Sequence, residues 1–173
     1  SNCSELGKLI EDFYFADDSE RKKIAETRLN IESFTTHLAI LTIFNLSDVH
    51  AKNYYLYRSE GKWGVIAWDN EEFMKRFTSI NPEKYWDENE TKRNLLFKFF
   101  LSEAGYRKEI LKKVNSLLTK ENGIFLINFI EKTCSDIEKA VKYDRNNNKS
   151  MEDFYNEKAR LLKASQAKKS EYG

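Results

Sequence analysis

A chain of 173 residues is long enough for one domain with a real hydrophobic core, and 14% aromatic content gives that core bulky material. Charged residues are a third of the chain but nearly cancel, at +1 overall, which excludes a global pull toward nucleic acid or an anionic membrane. One proline and six glycines point to a mainly α fold with few loops, no apolar run approaches a membrane span, and the N-terminal SNCSELGKLI shows no targeting segment.

Taken in chain order, Leu6, Leu9, Ile10 and Phe13 recur at helical spacing, and DDSER then offers Ser19 as the N-cap of a short helix through Ile24. Asn30 caps the next helix, in which Phe34, Leu38, Leu41 and Phe44 form an apolar stripe. That stripe is expected to bury one side of the helix beneath the following loop and so to fix where Asp48 points. His37 is read as a helix residue with no catalytic part.

Asn53 to Tyr57 (NYYLY) and Lys62 to Trp68 (KWGVIAW) are rich in aromatic and β-branched residues, and the polar RSEG between them ends in Gly61, which predicts a small β hairpin. The stretch EEFMKRFTSINPEKYWDENETK reads as a long loop with short turns, either a segment that receives a substrate or a surface connection pinned by Trp86, with Lys75 and Arg76 as candidate contacts for a phosphate or an acidic substrate. Three helices follow. The first, Thr91 to Glu103, carries Leu95, Leu96, Phe99 and Phe100 and is capped by Gly105. The second, Tyr106 to Leu118, is stopped by Gly123, and the third is a long helix from Ile124. Asp144 to Ser150 is a polar linker: Asp144, Asn146 and Asn148 imitate a calcium loop, but Lys149 stands at the glycine position and Tyr155 at the glutamate position. A terminal amphipathic helix through Leu162 then frays into a basic tail. Cys3 and Cys134 lie far apart, lack metal-ligand spacing, and are read as unpaired.

The chemistry concentrates between Leu41 and Phe73. Asp48 and Asn53 form a D-x-x-x-x-N segment, and Asp69 follows the hairpin. A kinase-type phosphotransferase uses the first aspartate to orient the acceptor hydroxyl and take its proton, the asparagine to bind metal, and a later aspartate to bridge metal and phosphates. Two strands joined tightly would bring Asp69 back beside Asn53. The competing structural reading is an ordinary amphipathic hairpin whose flanking aspartates only solvate its open end. His50 and Lys52 are candidate phosphate contacts; the plain alternatives are a histidine bonded to a loop carbonyl and a solvated surface lysine.

At these residues the chain resembles a known family. NLSDVHAKNYYLY followed by GKWGVIAWDNEEF is similar to the signature of the CotH kinases, the spore-coat-protein-H-like atypical protein kinases. RLNIESFTTHLAI and NLLFKFFLSEAGYRKEILKKVNSLL resemble the helices before and after the family's catalytic loop. The resemblance implies a protein-kinase-like C-terminal lobe with Asp48 as catalytic base, Asn53 and Asp69 as metal ligands, and Glu71 at the family's second acidic position. Family members often have aspartate where this chain has Glu71 and proline where it has Ala67. ATP and Mg2+ or Mn2+ are the implied cofactors, serine or threonine of a coat or surface protein the implied acceptor, and the spore coat, cell surface or extracytoplasmic space the implied location.

The chain shows no G-x-G-x-x-G, and the residues before Asp48 read as helices rather than the sheet of a nucleotide lobe. Residues 1–173 are therefore read as a single domain, the C-terminal catalytic lobe of a larger protein, inactive as an isolated piece. The alternative is a pseudokinase-like binding or coat-assembly module. A metal-dependent hydrolase built on Asp48, His50, Asp69 and Glu71 is disfavoured, because such sites generally draw on more histidine than the two present.

Overall fold

The computed structural model describes residues 2–44, 46, 53–68, 86, 94–144 and 150–170, which separate between Val114 and Asn115 into two units. Asp48, His50, Lys52, Asp69 and Glu71 lie outside the described residues, as do Lys75, Arg76 and residues 145–149 of the expected linker. Within the described residues the chain is mainly helical, with one two-stranded antiparallel hairpin.

In the first unit, α1 (Asn2–Phe15) buries Leu9 and Phe13 and leaves Ile10 half exposed. The next helix, α2 (Asp18–Arg28), begins earlier and ends later than expected. Its N-cap is Asp17 and not Ser19, because Asp17 and Glu20 form a reciprocal capping box: the Glu20 N–H donates to the Asp17 carboxylate at 2.8 Å and the Asp17 N–H to the Glu20 carboxylate at 3.1 Å. Arg21 fastens α2 to the end of α1 by donating to the Phe13 and Tyr14 carbonyls at 3.1 and 3.2 Å.

Asn30 does cap α3 (Ile31–Phe44), accepting the Ser33 N–H at 3.1 Å. The helix is not buried on one stripe. Phe34, Leu38 and Leu41 are joined in the interior by Thr35, His37, Ala39, Thr42 and Ile43, so α3 is enclosed on most sides. The two threonines tolerate this because Thr35 donates to the Ile31 carbonyl at 2.9 Å and Thr42 to that of Leu38 at 2.7 Å.

The hairpin pairs β1 (Tyr54–Ser59) with β2 (Lys62–Ala67) residue for residue, from Tyr54 opposite Ala67 to Ser59 opposite Lys62. Arg58 and Ser59 thus belong to the strand and not to the loop. Glu60 and Gly61, at φ of 52° and 79°, make a two-residue turn whose left-handed backbone matches the twist of the strands. Trp63 and Val65 face the core. On the opposite face the Tyr57 ring covers Gly64, where an added Cβ would stand 2.6 Å from two ring carbons.

The helix α4 (Leu95–Ser102) is shorter than expected, because Asn94 caps it by accepting the Leu96 and Phe97 N–H groups. It contributes Phe97, Phe99, Phe100 and Leu101 to the core. Phe34 stacks on Phe100 with ring centroids 5.0 Å apart, and Phe13 meets Phe99 edge-on at 5.2 Å. Glu103, not Gly105, ends this helix. Its carboxylate accepts the Gly105 and Tyr106 N–H groups at 2.8 and 3.0 Å, which starts α5 (Ala104–Leu117) at once and places Gly105 inside it. Those bonds, and Lys22 at 3.3 Å, hold the Glu103 carboxyl below its ordinary range. Trp86 is buried, donates its indole N–H to Thr42 at 2.8 Å and lies under the Arg107 guanidinium, so the chain is anchored at this residue; the rest of the expected surface connection lies outside the described residues.

The second unit is a pair of helices, α6 (Lys120–Tyr143) and α7 (Met151–Ser170). Thr119 caps α6, and Gly123 lies within it and does not break it. Tyr155 donates to Glu138 at 2.6 Å across the pair, whose interior holds Ile130, Ala164 and Ser165. Ser150 and Asp153 form a cap at the start of α7, which continues to Ser170 instead of fraying after Leu162. Cys134 on α6 is a free thiol.

The Tyr57 ring over Gly64 yields a direct expectation. Gly64→Ala should lower the unfolding free energy by about 1–2 kcal/mol, seen as a lower urea midpoint at unchanged slope. A midpoint equal to the parent's would mean that the ring swings aside without cost.

Candidate functional site

Of the residues singled out for phosphoryl transfer, Asn53 is the one within the described part of the chain. It sits at the open foot of the hairpin in a left-handed conformation, φ 65°, which asparagine tolerates better than most residues. Its carbonyl accepts the Trp68 N–H at 3.0 Å. The ladder therefore runs one pair beyond the strands, and the described chain stops at Trp68, the covalent neighbour of Asp69.

The other approach to the site is held by α3. Beyond its last turn the Leu46 N–H donates to the Leu41 carbonyl at 3.1 Å, and the Leu46 side chain is 1% exposed. Leu46 is thereby fixed two residues before Asp48. A buried helix end of this kind restricts the start of the next segment more than an amphipathic surface helix would.

What joins these two approaches is the contact between α3 and β2. The Asn30 N–H donates to the Trp63 carbonyl at 2.7 Å. The Ser33 hydroxyl accepts the Val65 N–H at 2.9 Å and donates to the Val65 carbonyl at 3.2 Å. Ser33 carried no signal in the sequence; it is a polar residue in a first helical turn like many others. The open groove of about 420 Å³ along this seam is lined by Ser33, Thr36, His37, Tyr57 and Val65 among others. Its polar groups serve the packing: Ser33 is taken by Val65, and Glu32 by Lys113 at 2.5 Å and Thr36 at 3.3 Å.

The profile of the CotH kinase protein family matches residues 2–172. The chain belongs to the CotH kinase family. No curated protein and no solved structure matches it. The match takes in α3, the hairpin and both flanking helical regions, so the frame around Asn53 is the frame of a CotH kinase family member. Among the described residues no cluster of three or more His, Cys, Asp or Glu forms a metal site, and no helix is long and apolar enough to cross a membrane. Asp48, Asp69 and Glu71, the expected carboxylates, are outside that set. The expected metal ligands, Asn53, Asp69 and Glu71, would be an amide and two carboxylates, the hard oxygen types that magnesium or manganese takes.

One buried group of this CotH kinase family chain has a titration consequence. His37 is 6% exposed, packs against Phe97 with ring centroids 5.6 Å apart, and among the described residues has no hydrogen-bond partner for Nε2. Burial pushes its pKa from the ordinary 6.5 down to about 4, so the folded chain holds it neutral. The unfolded chain protonates it near 6.5. Stability from this group is complete above that pH and is lost as pH falls from about 6.5 to about 4, by an amount on the order of 3 kcal/mol. His37→Leu should remove most of that loss, measured as the difference between urea unfolding free energies at pH 7.5 and 4.5. An equal pH dependence in parent and variant would place the effect elsewhere.

Proposed function

We propose that this chain carries the catalytic loop of a phosphotransferase that moves the γ-phosphoryl of ATP to a serine or threonine hydroxyl of a protein, in a protein-kinase-like C-terminal lobe. In this reading Asp48 orients the acceptor hydroxyl and takes its proton as the oxygen attacks phosphorus. Asn53 and Asp69 hold Mg2+ or Mn2+, Glu71 adds a further carboxylate, and His50 and Lys52 contact the phosphates. Bound there, a divalent cation supplies positive charge against that which develops on the transferring group.

The observation that supports this most is the bond from the Trp68 N–H to the Asn53 carbonyl. A transfer site needs its asparagine and its second aspartate gathered from separate segments, and a hairpin paired down to residues 53 and 68 satisfies that requirement better than a loose loop. The pinned Leu46 supports it from the other side, since a general base must be held within hydrogen-bond reach of its proton.

In the full-length protein, Asp48→Ala and Asp69→Ala should each reduce label transfer from γ-labelled ATP to protein serine or threonine by about 10²-fold or more, with the circular dichroism spectrum and urea midpoint kept. Transfer that survives both changes would refute the assignment. A parent protein with no thermal shift on adding ATP and magnesium would favour a binding module that keeps the lobe without the chemistry.

A further inference from the structure

The fold treats the two edges of the hairpin differently. On β2 three of the outward backbone groups are occupied: the Trp63 carbonyl by Asn30, and the Val65 N–H and carbonyl by Ser33. On β1 the register in which Asn53 pairs with Trp68 directs the N–H and C=O of Tyr54, Leu56 and Arg58 outward. Among the described residues none of those six backbone groups has a partner. Two usual guards of an edge strand are missing from β1 as well. The strand has no proline and no bulge, and its single charge, Arg58, is paired with Glu5 of α1.

We infer that the outer edge of β1 is a docking site for an extended, uncharged segment of a protein partner, which adds as a third strand along Tyr54, Leu56 and Arg58. The row of alternating donors and acceptors accepts only an extended backbone. Neutralisation of Arg58 by Glu5 leaves no net charge on the edge, so the segment it complements is neither strongly acidic nor strongly basic. Tyr55, 55% exposed beside Trp68 on the outer face, offers a cross-strand neighbour to a side chain of the added strand. A second copy of this chain is a poorer occupant, because a stable dimer buries about 1,200 Å² or more and an edge with three outward residues supplies a small part of that. The edge begins at Tyr54, next to Asn53, so a strand laid on it runs up to the candidate transfer site. On the phosphotransfer reading above, the occupant is the segment that carries the acceptor hydroxyl.

The test is amide hydrogen exchange by NMR on the full-length protein without nucleotide. The probe is an end-capped seven-residue peptide alternating valine and serine. At saturating peptide the Tyr54, Leu56 and Arg58 amides should slow about tenfold or more, with Trp63 and Val65 unchanged. A fully N-methylated version of the peptide should give no slowing. Leu56→Pro, which removes an outward N–H that the hairpin does not use, should abolish the effect on Tyr54 and Arg58. No slowing at millimolar peptide, slowing at Val65 instead, or slowing retained with the N-methylated peptide would overturn the inference. Slowing that grows with protein concentration in the absence of peptide would overturn it in favour of a second copy. Docking is read without ATP, so loss of transfer and loss of docking can be told apart.

Discussion

Two strands joined by a tight turn are marginally stable in water, so the position of Asn53 depends on what holds β2. That hold is the set of bonds from Asn30 and Ser33 to Trp63 and Val65, backed by the burial of Trp63 and Val65. The Ser33 hydroxyl serves as donor and acceptor to one residue, a role that an aliphatic side chain could not fill and a longer polar one would misplace. Through it the hairpin and α3 behave as one piece. The end of α3 leads toward Asp48 and the foot of the hairpin toward Asp69, so the same fastening governs both approaches to the candidate site.

The burial of α3 has the same origin. A helix that packs along a strand and against α4 is covered from several directions, and its buried threonines are retained where the backbone satisfies them, as at Thr35 and Thr42. His37 is the exception, with Nε2 enclosed and, among the described residues, unpaired, and its neutrality follows from that enclosure. The aromatic cluster of Phe13, Phe34, Phe97, Phe99 and Phe100 completes the covering.

Much of the helical framework was legible from apolar spacing, and the ends were not. Ser19 looked like a cap because it precedes a helical run, but the Asp17 and Glu20 pair satisfies two backbone donors at once and prevails. Gly105 and Gly123 looked like stops, yet Glu103 and Thr119 supply caps that let new helices pass through both glycines. Of the candidate site, the D-x-x-x-x-N segment and the returning aspartate were visible as a pattern. The pairing of Asn53 with Trp68 is the part of that pattern that the described residues reach.

Locally determined features were present in the sequence itself. The aromatic and β-branched strands and the Glu60-Gly61 turn specify the hairpin, because turn conformation and side-chain alternation depend on neighbouring residues alone. The family signature from Asn45 to Phe73 likewise needs no fold to be read. Among the described residues, tertiary structure alone decided which edge of the hairpin is fastened and which is left without partners. Ser33 stands 32 residues from Val65, and its partner is set by the packing of α3 against β2, a long-range contact that no local pattern encodes.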